Sequence, residues 1–183
     1  GAASSVRYRF QSPEQRNERL SAAFGDVFPG VEVDDVRAPG LDDILLPATM
    51  SARLRVPAFA TREGDRMRFA ALGRDSRLTP ALASTTEREH DLVLDLPSTE
   101  EYRIRYALPP GHRFSRMPTD KTIDTPVGRF LLEVTPDAAG AEVHSRLELL
   151  QPRITPAQYE AFRQFLRQVD ASLEQSFEVT PER

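Results

Sequence analysis

Three histidines, His90, His112 and His144, are the side chains in this 183-residue chain best suited to proton transfer or metal ligation near neutral pH. No two stand at ligand spacing, and His144 falls on the outward alternation of a strand-like run, so they read as isolated surface or turn histidines. Adjacent acids occur at Asp34-Asp35, Asp42-Asp43 and Glu100-Glu101. Paired carboxylates are the residue type that runs glycoside hydrolysis or holds calcium, yet neighbouring acids mostly mark exposed turns, and "VDDVRAPGLDD" lacks the alternating ligands of a calcium loop. Cysteine is absent, which removes thiol nucleophiles, disulfides, iron–sulfur clusters and cysteine-based zinc sites. The chain contains no G-x-S-x-G elbow and neither of the glycine-rich phosphate loops. No residue is therefore assigned a catalytic, cofactor-binding or metal-ligating role, no cofactor is expected, and the chain reads as non-enzymatic. A carboxylate-dependent hydrolase is the enzymatic alternative, and it rests on the acidic pairs alone.

Arginine raises a different question. The 24 basic residues are all arginine except Lys121, a bias that fits a coding preference of the source genome. Arg7, Arg9, Arg53, Arg55, Arg103 and Arg105 recur at alternate positions of strand-like runs and would share a sheet face if those strands were neighbours. Against a polyanion surface stand the net charge of −4 and the outward acids Glu133, Glu142 and Glu148. A sheet that binds RNA also interleaves aromatics with its basic residues, whereas here the aromatics alternate to the opposite face. The expected role is a solvated face with cross-strand Arg–Glu pairs, and no nucleic-acid partner.

The elements that must position these residues are mainly strands. Period-two alternation recurs in "SVRYRF", "SARLRVP", "YRIRYALP" and "AEVHSRLELL", with Val6, Tyr8 and Phe10, then Ala52, Leu54 and Val56, then Tyr102, Ile104 and Tyr106, then Val143, Leu147 and Leu149 on the apolar sides. "DRMRFAAL" reads as the return strand of a hairpin begun at "ARLRVP". "GRFLLEV" and "AEVHSRLELL" form a second hairpin around "TPDAAG", and "SFEV" a last short strand. "LTPALASTTEREH" reads as a short helix or an irregular crossing, and "DLVLDLP" as a strand.

Two segments are helical. In "SPEQRNERLSAAFGDVF", Ser12, Pro13 and Gln15 form a capping box with proline at the first position, and Leu20, Ala23, Phe24 and Val27 fall on one face. Thr155, Pro156 and Gln158 repeat the device, with Ile154 and Tyr159 at staple positions and a stripe of Tyr159, Phe162, Phe165, Leu166, Val169 and Leu173. The fold class expected is α+β, mainly β: antiparallel, sandwich-like sheets with two packed helices at about 13–28 and 156–172. A boundary near Pro97 to Glu100 divides the chain into a β-rich subdomain with an N-terminal helix, 1–98, and a β-rich C-terminal domain with a C-terminal helix, 99–183, which are also able to pack as one unit. No apolar run reaches the roughly 18 to 20 residues of a membrane span, so none is expected. Gly1 in place of methionine suggests a processed or engineered N-terminus, as an excised piece would have.

The order of motifs also resembles a known family. "YRIRYALPPGHRFSRMP", "TPVGRFLLEV" and "SRLELLQPRITPAQYEAFRQFLRQVD" resemble the C-terminal domain of unknown function that follows the transglutaminase-like core in a large group of bacterial proteins. The matching positions are Leu108, Pro109 and Gly111, then Gly128, Arg129 and Phe130, then Pro156, Tyr159 and Asp170. "FPG" at 28–30, "RLRVPAF" and "EREHDLVLDLP" resemble the segment between that core and the last domain. The family's Cys-His-Asp triad lies in the preceding core and cannot be present in a chain without cysteine. The resemblance implies an accessory module in the cell envelope or periplasm, whose partner is the transglutaminase-like domain of the same parent or another protein. An independent carbohydrate- or peptide-binding module is the alternative. It requires exposed aromatics among Tyr8, Tyr102, Tyr106 and Tyr159 in a chain without tryptophan.

Overall fold

The computed structural model describes residues 12–37, 51–94 and 97–182. The chain divides into two compact units, residues 1–59 and 60–183. Position 98/99, the boundary expected from sequence, lies within the second unit.

In the first unit the helix α1 runs Pro13–Gly25. Its capping box forms as expected: the Gln15 amide donates to Ser12 Oγ at 3.3 Å, and the Ser12 amide donates to Gln15 Oε1 at 3.0 Å. The helix ends three residues before the expected position 28. There the Phe28 amide donates to the Phe24 carbonyl at 2.7 Å, and Gly30, at φ +77°, turns the chain. The expected apolar face is not buried, since Ala23 and Val27 are exposed and Phe24 is half-buried; the Leu20 side chain lies outside what the structure describes. Two strands follow, β1 (Glu32–Arg37) and β2 (Ser51–Arg55), paired antiparallel from Glu32↔Arg55. The run "ARLRVP" therefore pairs backwards in the chain, with β1, and not with "DRMRFAAL".

The second unit contains β3 (Thr61–Glu63), β4 (Arg66–Ala70), helix α2 (Leu78–Leu82), β5 (Leu92–Val93), β6 (Ser98–Ala107), β7 (His112–Arg116) and β8 (Lys121–Asp124). Then come β9 (Gly128–Asp137), β10 (Gly140–Leu149), β11 (Arg153–Ile154), helix α3 (Pro156–Leu173) and β12 (Ser176–Pro181). One sheet has the order β6-β10-β9-β8, a second the order β3-β4-β12-β7, and β5 pairs with β11. All these pairings are antiparallel. The fold is thus mainly-β α+β. In the second sheet β4 pairs with β12, so strands from either side of position 98/99 are hydrogen-bonded to each other. The return strand "DRMRFAAL" is β4, and its hairpin partner is the three-residue β3, joined through Gly64 at φ +63°. The β9–β10 hairpin and the last strand form where the sequence places them.

Alternation decides what is buried. The inward residues Phe130 and Leu132 of β9 and Ala141, Val143, Leu147 and Leu149 of β10 meet Tyr159, Phe162, Phe165, Leu166 and Val169 of α3 in one core. Each large side chain buried this way contributes about 1.5–3 kcal/mol. Phe177 of β12 continues the core, with Phe69, Tyr106 and Phe114 rings centred 5.2, 5.2 and 5.0 Å from its own. The Phe-rich stripe of α3 is therefore a core face.

Candidate functional site

The wet face of the β6-β10-β9-β8 sheet answers the arginine question for β6. Arg103 bonds Glu101 at 2.9 Å, and Arg105 bonds Asp137 across the hairpin end. Arg146 pairs with Glu148, and Arg129 reaches Asp124 at 3.2 Å. His144 sits between two carboxylates, with Nε2 2.9 Å from Glu101 and Nδ1 3.3 Å from Glu133. Arg103 first, and His144 second, hold the Glu101 carboxyl below the usual range. Arg105, aided by the Ala139 amide, does the same for Asp137. Every cation of this face named here has an anionic neighbour, but Arg103–Glu101 and Arg146–Glu148 pair along one strand, and the cross-strand Arg–Glu contacts expected from the alternation are the longer ones, Arg146–Glu101 at 3.9 Å and Arg129–Glu148 at 4.0 Å. Arg53 and Arg55 belong to the two-stranded sheet of the first unit, where Arg55 pairs with Glu32 at 2.6 Å. They share no sheet with Arg103 and Arg105, and Arg7 and Arg9 lie outside the described residues.

The opposite balance holds on the wet face of the second sheet. Arg66 and Arg68 of β4 and Arg113 and Arg116 of β7 flank Glu178 of β12, which is the register partner of both Arg68 and Arg116. Glu178 is within 3.4 Å of Arg66 and 3.9 Å of Arg116. The sequence reading missed this cluster because β4 and β7 are more than forty residues apart in the chain and meet only through β12.

Among the described residues of the unit, Asp170 is the buried charged side chain, 8% exposed. Its carboxylate accepts from the Ser76 hydroxyl at 2.6 Å and from the Leu78 and Thr79 amides at 3.0 and 2.8 Å. Helix α2 has no capping side chain of its own, and Asp170 caps it from α3. Burial works to raise this carboxyl, and the bonds from Ser76, Thr79 and Leu78 together outweigh it and leave it below the usual range. The signal in the sequence was an acid directly after Val169 on the apolar arc of α3.

The other motif positions are architectural as well. Gly111, at φ +70°, closes the β6–β7 turn, in which the His112 amide donates to the Pro109 carbonyl at 3.2 Å. A Cβ on Gly128 would lie 2.6 Å from the Phe165 ring. Tyr159 donates its hydroxyl to the Thr85 carbonyl at 2.9 Å and pairs with Thr85 Oγ1 at 3.1 Å. Tyr159→Phe is expected to lower stability by about 1 kcal/mol, the usual worth of a neutral hydrogen bond, with an unchanged slope in urea.

Glu100 bonds Tyr102 Oη at 3.2 Å on the face opposite Glu101, Asp35 is held by Arg37 at 2.8 Å, and Asp42-Asp43 lies outside the described residues. His90 is exposed, and His112 Nδ1 lies 3.1 Å from the Pro110 carbonyl. Among the described residues no group of three or more His, Asp or Glu is arranged to hold a metal ion. Tyr102 and Tyr106 are half-buried, Tyr159 is buried, and Tyr8 lies outside the described residues. Among the described residues no helix is long and apolar enough to cross a membrane.

A crystal structure of a "putative protease" from Parabacteroides distasonis is similar at 20% identity and a TM-score of 0.46, over 52% of this chain and 19% of that one. The present chain thus spans about a fifth of that protein's length. No curated protein matches the chain. Residues 67–179, more than half of the chain, match the family described as a domain of unknown function with solved structure, DUF3858, and the chain belongs to that family.

Proposed function

We propose that this chain is a non-catalytic accessory module of a bacterial, envelope-associated protein, positioning a transglutaminase-like catalytic domain or recruiting a protein partner. The observation that carries this reading is the employment of Asp170, the buried carboxylate at a motif position. Both of its oxygens are engaged by the 76–79 segment, so it acts as a brace between α3 and α2. Tyr159 and Gly128 serve packing in the same way, which makes the motif a signature of architecture.

The alternative module for sugars has little to draw on. The described tyrosines point Tyr106 and Tyr159 into the core and tie Tyr102 to Glu100 and Arg74. The exposed large apolar side chains among the described residues are Val27, Phe59, Val93 and Leu150, two in each unit. Charge therefore sets the surface of the second unit apart more than apolar area does.

Two measurements test the proposal. Purified protein assayed on peptide, ester and glycoside substrates across the pH range is expected to give background rates, and turnover proportional to protein concentration would overturn the non-catalytic role. Sequencing the gene upstream of the codon for Gly1 is expected to show a frame continuing through a domain with Cys, His and Asp at transglutaminase-like positions. A frame opening at residue 1 would remove the catalytic partner from the proposal.

A further inference from the structure

The arginines of the two wet faces differ in their neutralisation. On the β6-β10-β9-β8 sheet, Arg103, Arg105, Arg129 and Arg146 each have a carboxylate in ion-pair reach. On the β3-β4-β12-β7 sheet, Arg66, Arg68, Arg113 and Arg116 surround Glu178, whose side chain is 18% exposed. That carboxylate is within reach of Arg66 and Arg116, and among the described residues no carboxylate comes within ion-pair distance of Arg68 or Arg113. The remaining acids on or next to these strands are Glu63 of the edge strand β3, Asp65 of the β3–β4 turn and Glu182, one residue past β12. The four guanidinium groups are exposed.

We propose that this face docks an extended acidic segment of a partner protein, with Asp or Glu at alternate positions. The proposal rests on the module reading and names the surface and the partner chemistry. Arg66 and Arg68 project from one side of a strand about 6.6–6.8 Å apart, the spacing of alternate side chains in an extended peptide. Arg113 and Arg116 stand one strand beyond β12, about 10 Å from β4, so guanidiniums border the central strand on both sides. Guanidinium forks match carboxylates bidentately, and unneutralised forks on a face offer charge complementarity to such a segment. Nucleic acid is disfavoured by the same strands. Their aromatics, Phe69, Phe114 and Phe177, alternate into the core and leave no stacking platform between the arginines.

The test is fluorescence anisotropy with the full chain and a labelled peptide of alternating Glu and Thr, beside its Gln-for-Glu counterpart, an oligonucleotide of equal charge and phosphatidylserine vesicles. The Glu peptide is expected to bind, weakening between about 50 and 300 mM salt as exposed ion pairs are screened. The R68E/R113E double variant is expected to lower its affinity about tenfold or more, and R129E on the other sheet to change it less than about twofold. No binding of the Glu peptide, binding indifferent to R68E/R113E, or tighter binding of the oligonucleotide or vesicles would each overturn the proposal. Circular dichroism checks folding, and R68Q/R113Q replaces the charge reversal where that unfolds the protein. Failure here with no turnover in the substrate panel removes only this surface assignment, whereas turnover removes the module reading whatever the peptide does.

Discussion

Gly140→Ala is expected to lower the melting midpoint by about 10 °C or more, corresponding to roughly 3 kcal/mol for a domain of this size. An added Cβ would stand 1.8 Å from the Tyr106 carbonyl oxygen, 2.9 Å from its carbon and 3.2 Å from Ala107 Cα. All three are backbone atoms, so no rotamer change relieves the contact. Overpacking commonly costs about 1–3 kcal/mol, and this site belongs at or beyond the upper end because relief requires parting two strands. Gly140 opens β10 opposite Ala107, and the pairing continues without a shift to Leu149↔Ser98. Moving β6 away at this end also moves Tyr106, whose ring lies 4.8 Å from Phe69 and whose hydroxyl donates to the Ala71 carbonyl at 3.1 Å. Gly64→Ala is the control. It has open space around the added carbon but a φ of +63°, so a loss of only about 1 kcal/mol is expected there. Equal midpoints for the two variants would show that β6 and β10 separate easily, against the close approach described here.

Asp170→Ala is expected to destabilise the protein by roughly 2–4 kcal/mol in urea unfolding at neutral pH. It leaves two amides of α2 and the Ser76 hydroxyl without their acceptor, at a site largely closed to water. Asp170→Asn isolates the charge. The folded carboxyl lies below the usual aspartate range, although burial opposes this, because the Ser76, Thr79 and Leu78 donors favour the ionised form. A value depressed on folding gives stabilisation that is complete above the unfolded aspartate value of about 4 and is lost as pH falls through the folded value. The gap between wild type and Asp170→Asn should therefore stay level from about pH 8 to 5 and narrow below about pH 4. A gap that stays level into strong acid would assign the effect to shape and packing instead of charge.

Helix starts, strand faces and the β9–β10 hairpin were legible in the residues because their causes are local. Ser12 and Gln15 lie three residues apart and meet within one turn, and alternation in 140–149 sorts core from solvent whichever strand lies alongside. Even so, α1 closed at Gly25, and the residues after it turned with Ala23 and Val27 exposed, since periodicity marks a face without supplying anything to cover it. Pairing partners were a tertiary matter. Nothing in "ARLRVP" states that it joins β1 and not β4, because backbone amides accept any antiparallel neighbour and loop closure chooses among them. Asp170 was readable as an acid on an apolar arc, but the three donors it caps are more than ninety residues earlier in the chain. The arginines show the division most sharply. Their alternation placed them on wet faces, and spacing along β6 put Glu101 beside Arg103, but only strand order decided that Arg105 would meet Asp137 of β9 while Arg68 and Arg113 would have no carboxylate within ion-pair reach among the described residues of the other sheet. Where the partner lies across strands, as Asp137 does for Arg105, it is set by folding topology and not by spacing along the chain.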